Sequence, residues 1–274
     1  IDSGVFEVKA VEYNVILNAP DVKMIYHDGT RFIATLTDKQ GNPIRDAVIE
    51  ITINGKTYTK TTDEKGVVSL GLSLDSGIYT VTVNFKGTAD YTPITRQAKV
   101  TIEPTVKGLD VVKMFRNNTQ YYAIFTDSQG NPLKNKDVQF NINGVFYTKT
   151  TNDKGIAMMG INLNPGKYVI TAINLVTGEQ SGNNITVKSL IVQNDLTKYY
   201  LNASRFQTTI YNKDGSLAAN KEVTFNINGV FYHKKTDENG IASLGISLRP
   251  GEYIITTMAV SYTHLRAHET LRHL

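Results

Sequence analysis

At 274 residues the chain suits two or three small domains, each able to bury a core of its own. A formal net charge of +4, spread along the chain with no Lys/Arg block, argues against a nucleic-acid partner, and the absence of cysteine excludes disulfides and thiolate metal sites. No stretch reaches the length of a membrane span, so no membrane insertion is expected here. The first residue is Ile1, which reads as a fragment whose signal and anchor segments lie elsewhere.

In chain order, residues 1–20 carry a strand pattern, Val5 to Val8, that reads as the end of a truncated preceding repeat. Three copies of one pattern follow, expected at 21–107, 108–192 and 193–260. Their best-matched stretches are ITINGKTY (Ile51–Tyr58), FNINGVFY (Phe140–Tyr147) and FNINGVFY again (Phe225–Tyr232). Gly41, Gly130 and Gly215 precede these stretches, and Gly66, Gly155 and Gly240 follow them, offset by 89 and then 85 residues. Such a period is too long for a solenoid unit and right for a self-sufficient domain. A chain of near-identical domains serves reach or multivalency better than a single active site.

In the second copy Tyr121, Ala123 and Phe125 alternate with Tyr122 and Ile124, a strand with one face in the core. Asp127 to Pro132 closes it as a turn. Val138, Phe140 and Ile142 then alternate with Gln139 and Asn141. Asn143-Gly144 is a hairpin signal of type I′, repeated with Gly55 and Gly229 in the other copies. It pairs Ile142 with Val145, Asn141 with Phe146, and Phe140 with Tyr147; the first and third pairs share a face, and Lys56 in place of Val145 in the first copy makes Phe140–Tyr147 core and the hairpin tip at least partly wet. Strands over Ile156–Leu163, Tyr168–Ala172 and Asn184–Lys188 complete the unit. The Gly-x-Tyr before the penultimate strand, at Tyr79, Tyr168 and Tyr253, fits a tyrosine corner. Many short strands, regular turns and no helical period predict an all-β protein: tandem Ig-like antiparallel sandwiches in a linear rod, the third lacking its last strand. The joins 104–109 and 189–194 are short and not Gly/Ser-rich, so neighbouring domains are expected to tilt without tumbling.

The succession TDKQGNP, TTDEKG and SGIYTVT (Thr37–Pro43, Thr61–Gly66, Ser76–Thr82) resembles bacterial Ig-like repeats of the invasin and intimin type. DLTKYYLNASRF (Asp195–Phe206), with FNINGVFY and LNPGKYVIT (Leu163–Thr171), resembles the Ig-like repeats of adhesin-like surface proteins from gut methanogenic archaea. That resemblance implies a secreted, wall-displayed protein touching other cells or host material, with a glycan or protein partner and no cofactor. A transthyretin-like, collagen-adhesin B-type domain shares the turn pattern and closes a Lys–Asn isopeptide bond. Lys113 and Lys198 sit on the first strand for such a bond, but Met24 occupies the matching place in the first copy. Ser261–Leu274 has no counterpart in the other copies and resembles a translated sequencing-adapter tail. His264, His268 and His273 within it are therefore not read as metal ligands.

An enzyme needs a constellation that converges in space. The other histidines, His27 and His233, do not recur, and the motifs Gly-x-Ser-x-Gly and HExxH are absent. The turn pairs Asp63-Glu64 and Asp237-Glu238 lack calcium-loop spacing and read as solvated turns. Two sets of candidate residues remain. Asn141/Phe146 and Asn226/Phe231 put a Phe on the polar face of a hairpin; either a neighbouring element covers it, which is the expectation here, or it is a ligand platform. Asn117, Asn184 and Asn202 head N-x-S/T triplets, the first and third at nearly equivalent loop positions, and are glycosylation candidates. The functional expectation is a non-catalytic cell-surface stalk. Alternatives are spacer domains of a larger wall-active enzyme, or a carbohydrate-binding module.

Overall fold

A computed structural model of the chain describes residues 14–259. The expected Val5–Val8 strand, the Ser261–Leu274 tail with its three histidines, and the place where the third repeat is expected to lack its last strand all lie outside that range.

The first domain comprises β1 (Val15–Asn18), β2 (Val22–Ile25), β3 (Arg31–Asp38), β4 (Val48–Ile53), β5 (Lys56–Thr61), β6 (Val67–Gly71), β7 (Gly77–Phe85) and β8 (Ile94–Glu103). The second repeats this with β9 (Val106–Gly108), β10 (Val111–Met114), β11 (Gln120–Phe125), β12 (Asp137–Ile142), β13 (Val145–Thr150), β14 (Ile156–Gly160), β15 (Gly166–Ile173) and β16 (Gln180–Lys188). The third shows β17 (Ile191–Gln193), β18 (Arg205–Ile210), β19 (Glu222–Ile227), β20 (Val230–Lys235), β21 (Ile241–Gly245) and β22 (Ile255–Ala259). Each of the first two is a sandwich of a three-stranded sheet, β1-β3-β6 or β9-β11-β14, on a five-stranded one, β2-β8-β7-β4-β5 or β10-β16-β15-β12-β13.

The sheets are not wholly antiparallel. β2 runs parallel to β8, with Val22 beside Val100, and β10 runs parallel to β16, with Val111 beside Ile185. The entering chain gives its first few residues to the small sheet and then crosses to the edge of the large one, where it runs with the final strand. An aspartate marks that crossing: the Lys99 N–H donates to Asp21 and the Asn184 N–H donates to Asp110, at 2.7 and 2.8 Å. This split also places β1, β9 and β17 in the sandwiches that follow them, pairing with β3, β11 and β18. The joins read as linkers from the sequence therefore contain working strands, leaving only Pro104-Thr105 and Ser189-Leu190 between consecutive ones.

Alternating strands fill the cores as the sequence period dictates. Tyr121 and Phe140 meet edge to face at 5.3 Å, and Phe206 and Phe225 repeat the contact at 5.8 Å, while the first domain fills the same place with Phe32 and Ile51. Each of these large side chains contributes roughly 1.5–3 kcal/mol by leaving water. The Tyr121 hydroxyl donates to Asn183 Oδ1 at 2.7 Å, and burial, aided by the charge of Asp110, pushes its pKa up to about 12.

Candidate functional surfaces

The hairpins and corners position the faces that partners can reach. Asn54, Asn143 and Asn228 all hold φ near +50°, each followed by Gly55, Gly144 or Gly229 at φ between +72° and +82°, as a type I′ turn requires. The register is the one expected, with Ile142 opposite Val145, Asn141 opposite Phe146 and Phe140 opposite Tyr147. Phe140 is wholly buried, whereas Tyr147 is 41% exposed, because β13 is an edge strand and half of its ring overhangs the core. The corner phenols close as anticipated: Tyr79, Tyr168 and Tyr253 donate to the carbonyls of Asp75, Asn164 and Arg249 at 2.8–2.9 Å.

Phe146 and Phe231 are left uncovered by the described residues. They are 60% and 55% exposed, against the expectation that a loop, sheet edge or next domain would shield them. The strand order explains why. β13 and β20 are edge strands, and Phe146 points away from the sandwich on the outer face of the large sheet. Across that face Phe146, Asn141, Thr171 and Gly182 form one row, and Thr148, Gln139, Ile173 and Gln180 form the next. Neither row holds an ionisable side chain, and the side chains of Asn141, Gln139, Thr171 and Thr148 make no hydrogen bond among the described residues. In the third domain Phe231, Asn226 and Thr256 repeat the first row, with Asn226 Oδ1 accepting from the Gly229 N–H at 3.0 Å.

The joints are a second repeated surface. A tight turn follows β2 and β10, in which His27 and Arg116 take positive φ and the N–H groups of Asp28 and Asn117 donate to the carbonyls of Ile25 and Met114. The next domain lays its glycine turn, Asp127–Gly130 or Asn212–Gly215, on that corner. A Cβ on Gly130 would stand 3.1 Å from Ile25 Cδ1, and one on Gly215 would stand 3.7 Å from Met114 Cγ. Shallow clefts of about 290 and 310 Å³ flank the two contacts. Asn117 Nδ2 also donates across the second joint to the Lys213 carbonyl at 2.8 Å, and Glu103 pairs with Lys23 at 2.8 Å and approaches Lys107 at 3.9 Å at the first. The matching corner of the third domain is open among the described residues, with Tyr199 88% and Leu201 71% exposed.

One cluster escaped sequence reading. At the base of the second domain, buried Glu179 accepts from the Thr105 N–H and hydroxyl at 2.5 and 2.6 Å, and buried Asn174 donates to Thr126 O at 2.8 Å and to Thr105. Its only signal was Asn174 standing where the other copies have Phe85 and Ala259.

The sequon positions gain a structural role. Oδ1 of Asn117 and of Asn202 accepts from the N–H and hydroxyl of Thr119 and Ser204, and Asp28 receives Thr30 in the same way. An Asx turn of this kind uses the side chains at both ends of the triplet, which gives it a folding role in each copy. Asn184 lies exposed on β16 and donates to Asp110 at 3.2 Å. Lys113 is buried on β10, and its ammonium donates to the carbonyls of Asn117, Thr119 and Ile161. Lys198 does the same toward Ser204 and Ile246, and Met24 fills the site in the first domain. Among the described residues these lysines are struts held by main-chain oxygens, with no asparagine side chain or carboxylate placed for an isopeptide bond. Burial holds the Lys113 pKa below its ordinary value. Asp63 and Asp237 spend Oδ1 on the N–H groups of their own turns at 2.9 Å, and no cluster of three His, Asp or Glu is gathered among the described residues. No described helix is long and apolar enough to cross a membrane.

No family model matches the chain. The described residues are all-β throughout, in repeated two-sheet sandwiches. The chain is similar to a 1.5-MDa bacterial ice-binding adhesin, at 16% identity over 86% of this chain and 88% of that one, TM-score 0.27. The fibronectin(III)-like modules of Clostridium thermocellum CbhA match at 17% identity over 64% of this chain and 94% of theirs, TM-score 0.24. A titin Ig tandem matches at 10% identity over 65% and 98%, TM-score 0.27. Each is a likeness of fold alone.

Proposed function

We propose that this chain is part of a non-catalytic, cell-surface, adhesin-like stalk in which Ig-like domains hold a contact surface away from the envelope. The observation that carries this reading is the repeated joint. Two consecutive pairs of domains meet through the same corner and the same glycine turn, with a two-residue connection between strands, which fixes direction from one domain to the next. Stiff serial joints serve reach; an enzyme gains nothing from repeating them. The open corner at Tyr199 to Leu201 offers the apolar side chains that a further joint of this kind would cover. The sequence resemblance to adhesin-like proteins of gut methanogenic archaea supports surface display and suggests an archaeal origin. Antibody against residues 14–259 should label the envelope of intact source cells by immunogold microscopy. A product found only in the cytoplasm, free of envelope, would sink the proposal.

A further inference from the structure

The uncovered aromatic face asks for an occupant. We infer that the outer face of the large sheet in the second and third domains is a binding platform for a neutral polysaccharide, built on Phe146 and Phe231. The inference deepens the contact role proposed above and rests on it for its biological setting, though the binding itself can be tested without it.

Three features of the face select this ligand class. One is the scale of its apolar part. On this face each domain offers a single exposed ring with one exposed aliphatic side chain in the next row, Val169 or Ile254, far less apolar surface than the core of a stable protein–protein interface. One aromatic ring matches the C–H face of one pyranose ring, and stacking there covers both. Another is the chemistry beside the ring. In the second domain Asn141, next along the row, and Gln139, one row on, carry amides with both donors and acceptors that no described group uses; in the third domain only the Asn226 side-chain N–H groups remain free, since its Oδ1 accepts from Gly229 and Thr224 bonds His233 in the next row. Thr171 and Thr148 add hydroxyls on the same face. Sugar hydroxyls, which donate and accept at close spacing, satisfy such a mixed set. The third is charge. The two rows of the second domain hold no ionisable side chain, so nothing there compensates a uronate or sulfate; the first row of the third, Phe231, Asn226 and Thr256, is likewise neutral, with His233 one row on. A polymer carrying many copies of one sugar can engage both domains, and linking two weak contacts raises avidity without new chemistry. A flat, open face also accepts a chain running past it, where an enclosed pocket would require an end.

Affinity electrophoresis of the full chain in native gels tests this, with hydroxyethyl cellulose, xyloglucan and galactomannan as neutral probes and polygalacturonate as the anionic control. At least one neutral gel should retard the wild-type chain. The variant F146T/F231T, which borrows the residue the first domain has at Thr57, should lose at least tenfold in apparent affinity while keeping its melting temperature. The N141A/N226A variant should lose less. The inference is overturned by three results: no retardation in any neutral gel, retardation unchanged in F146T/F231T, or retardation confined to polygalacturonate. A large drop in melting temperature for F146T/F231T would also overturn it, since the rings would then be structural. Envelope labelling is unaffected by any of these results, so failure of the platform and failure of the stalk reading are separable.

Discussion

The first and second domains share one frame and differ in what faces outward from it. On the large sheet of the first domain five of the eight polar side chains in the matching rows are committed within the protein, while Thr59, Thr82 and Gln97 are not. Thr52 and Thr57 bond hydroxyl to hydroxyl at 2.8 Å, Glu50 receives Lys86 and Asn84, and Asn84 receives Thr95. In the second domain the same rows hold Asn141, Gln139, Thr171 and Thr148 with no intramolecular partner, and the exposed ring of Phe146 stands where Thr57 does. One face is partly closed upon itself and the other is left open. The buried parts differ less, which shows that the frame sets stability and the outward rows are free to vary.

The largest expected effects test the shared frame. Gly66 and Gly155 hold positive φ with the would-be Cβ jammed against the carbonyls of Leu36 and Phe125. Gly66→Val or Gly155→Val combines strain with a main-chain clash, and each should cost more than about 4 kcal/mol, the exceptional end for one substitution. Domain-resolved hydrogen exchange should show protection lost in the substituted domain and kept in its neighbour. Loss spread evenly over both would mean that the domains do not fold as independent units.

Next comes a feature present in one domain only. Asn174→Ala removes the side-chain partner of the Thr126 carbonyl and of the Val176 and Thr177 N–H groups at the base of the second sandwich, and should cost about 1–3 kcal/mol there. The first domain, with Phe85 in that place, has no such dependence. An unchanged denaturation midpoint would show that water replaces the amide at no cost. Gly144→Val should cost less than Gly155→Val, about 1–2 kcal/mol from backbone strain, since nothing lies within 4 Å of its Cβ position. The hairpin glycine, which the sequence marks most loudly, is therefore not the most demanding one.

Moving the open face onto the closed one is the sharper test. Thr52→Asn with Thr57→Phe removes one cross-strand hydroxyl pair, worth roughly 0.2–1 kcal/mol. Retardation in the neutral gel that holds the wild type should increase. If it stays at the wild-type level while the first domain remains folded, the ring and amide are not sufficient for binding.

What could be read from sequence was what depends on local chemistry. Asn143-Gly144 fixed the hairpin register because only a few residues tolerate two consecutive positive φ angles, and Gly166-Lys-Tyr168 fixed the corner. Alternation in Tyr121–Phe125 located the core face without error. The splitting of the first strand was not legible, because Val111–Met114 looks the same whether it runs parallel or antiparallel to its neighbour. Nor could the sequence place Phe146 in the open, since exposure depends on which strand ends a sheet. The Asn174–Glu179–Thr105 cluster joins residues some 70 positions apart and recurs in no other copy, so neither spacing nor repetition revealed it.

The smallest expected difference is in acid. Three turns of the first domain are held by carboxylates that sit below the ordinary aspartate range. Burial works against Asp28 but is outweighed by the N–H groups of Ile25 and Thr30; the Asn42 side chain holds Asp38 down, and the Val67 and Lys65 N–H groups hold Asp63. At the matching places the second domain keeps only Asp127, held by the Asn131 side chain, beside neutral Asn117 and Asn152. A carboxyl whose folded pKa is depressed stabilises fully above its unfolded value and loses that contribution as pH falls through the folded one. Between roughly pH 5 and pH 2, then, exchange protection in β3 and β6, corrected for intrinsic rates, should fall more than in β11 and β14. The difference should survive added salt, because it comes from hydrogen bonds to each carboxylate rather than from distant charges. Asp110 works the other way, since its bond from the Asn184 N–H gives the second domain one acid-sensitive carboxylate outside the turns. Asp63→Asn should make the first domain less acid-sensitive and Asn152→Asp should make the second more so. If neither exchange alters its domain's acid profile, the turn carboxylates are not what separates the two domains in acid.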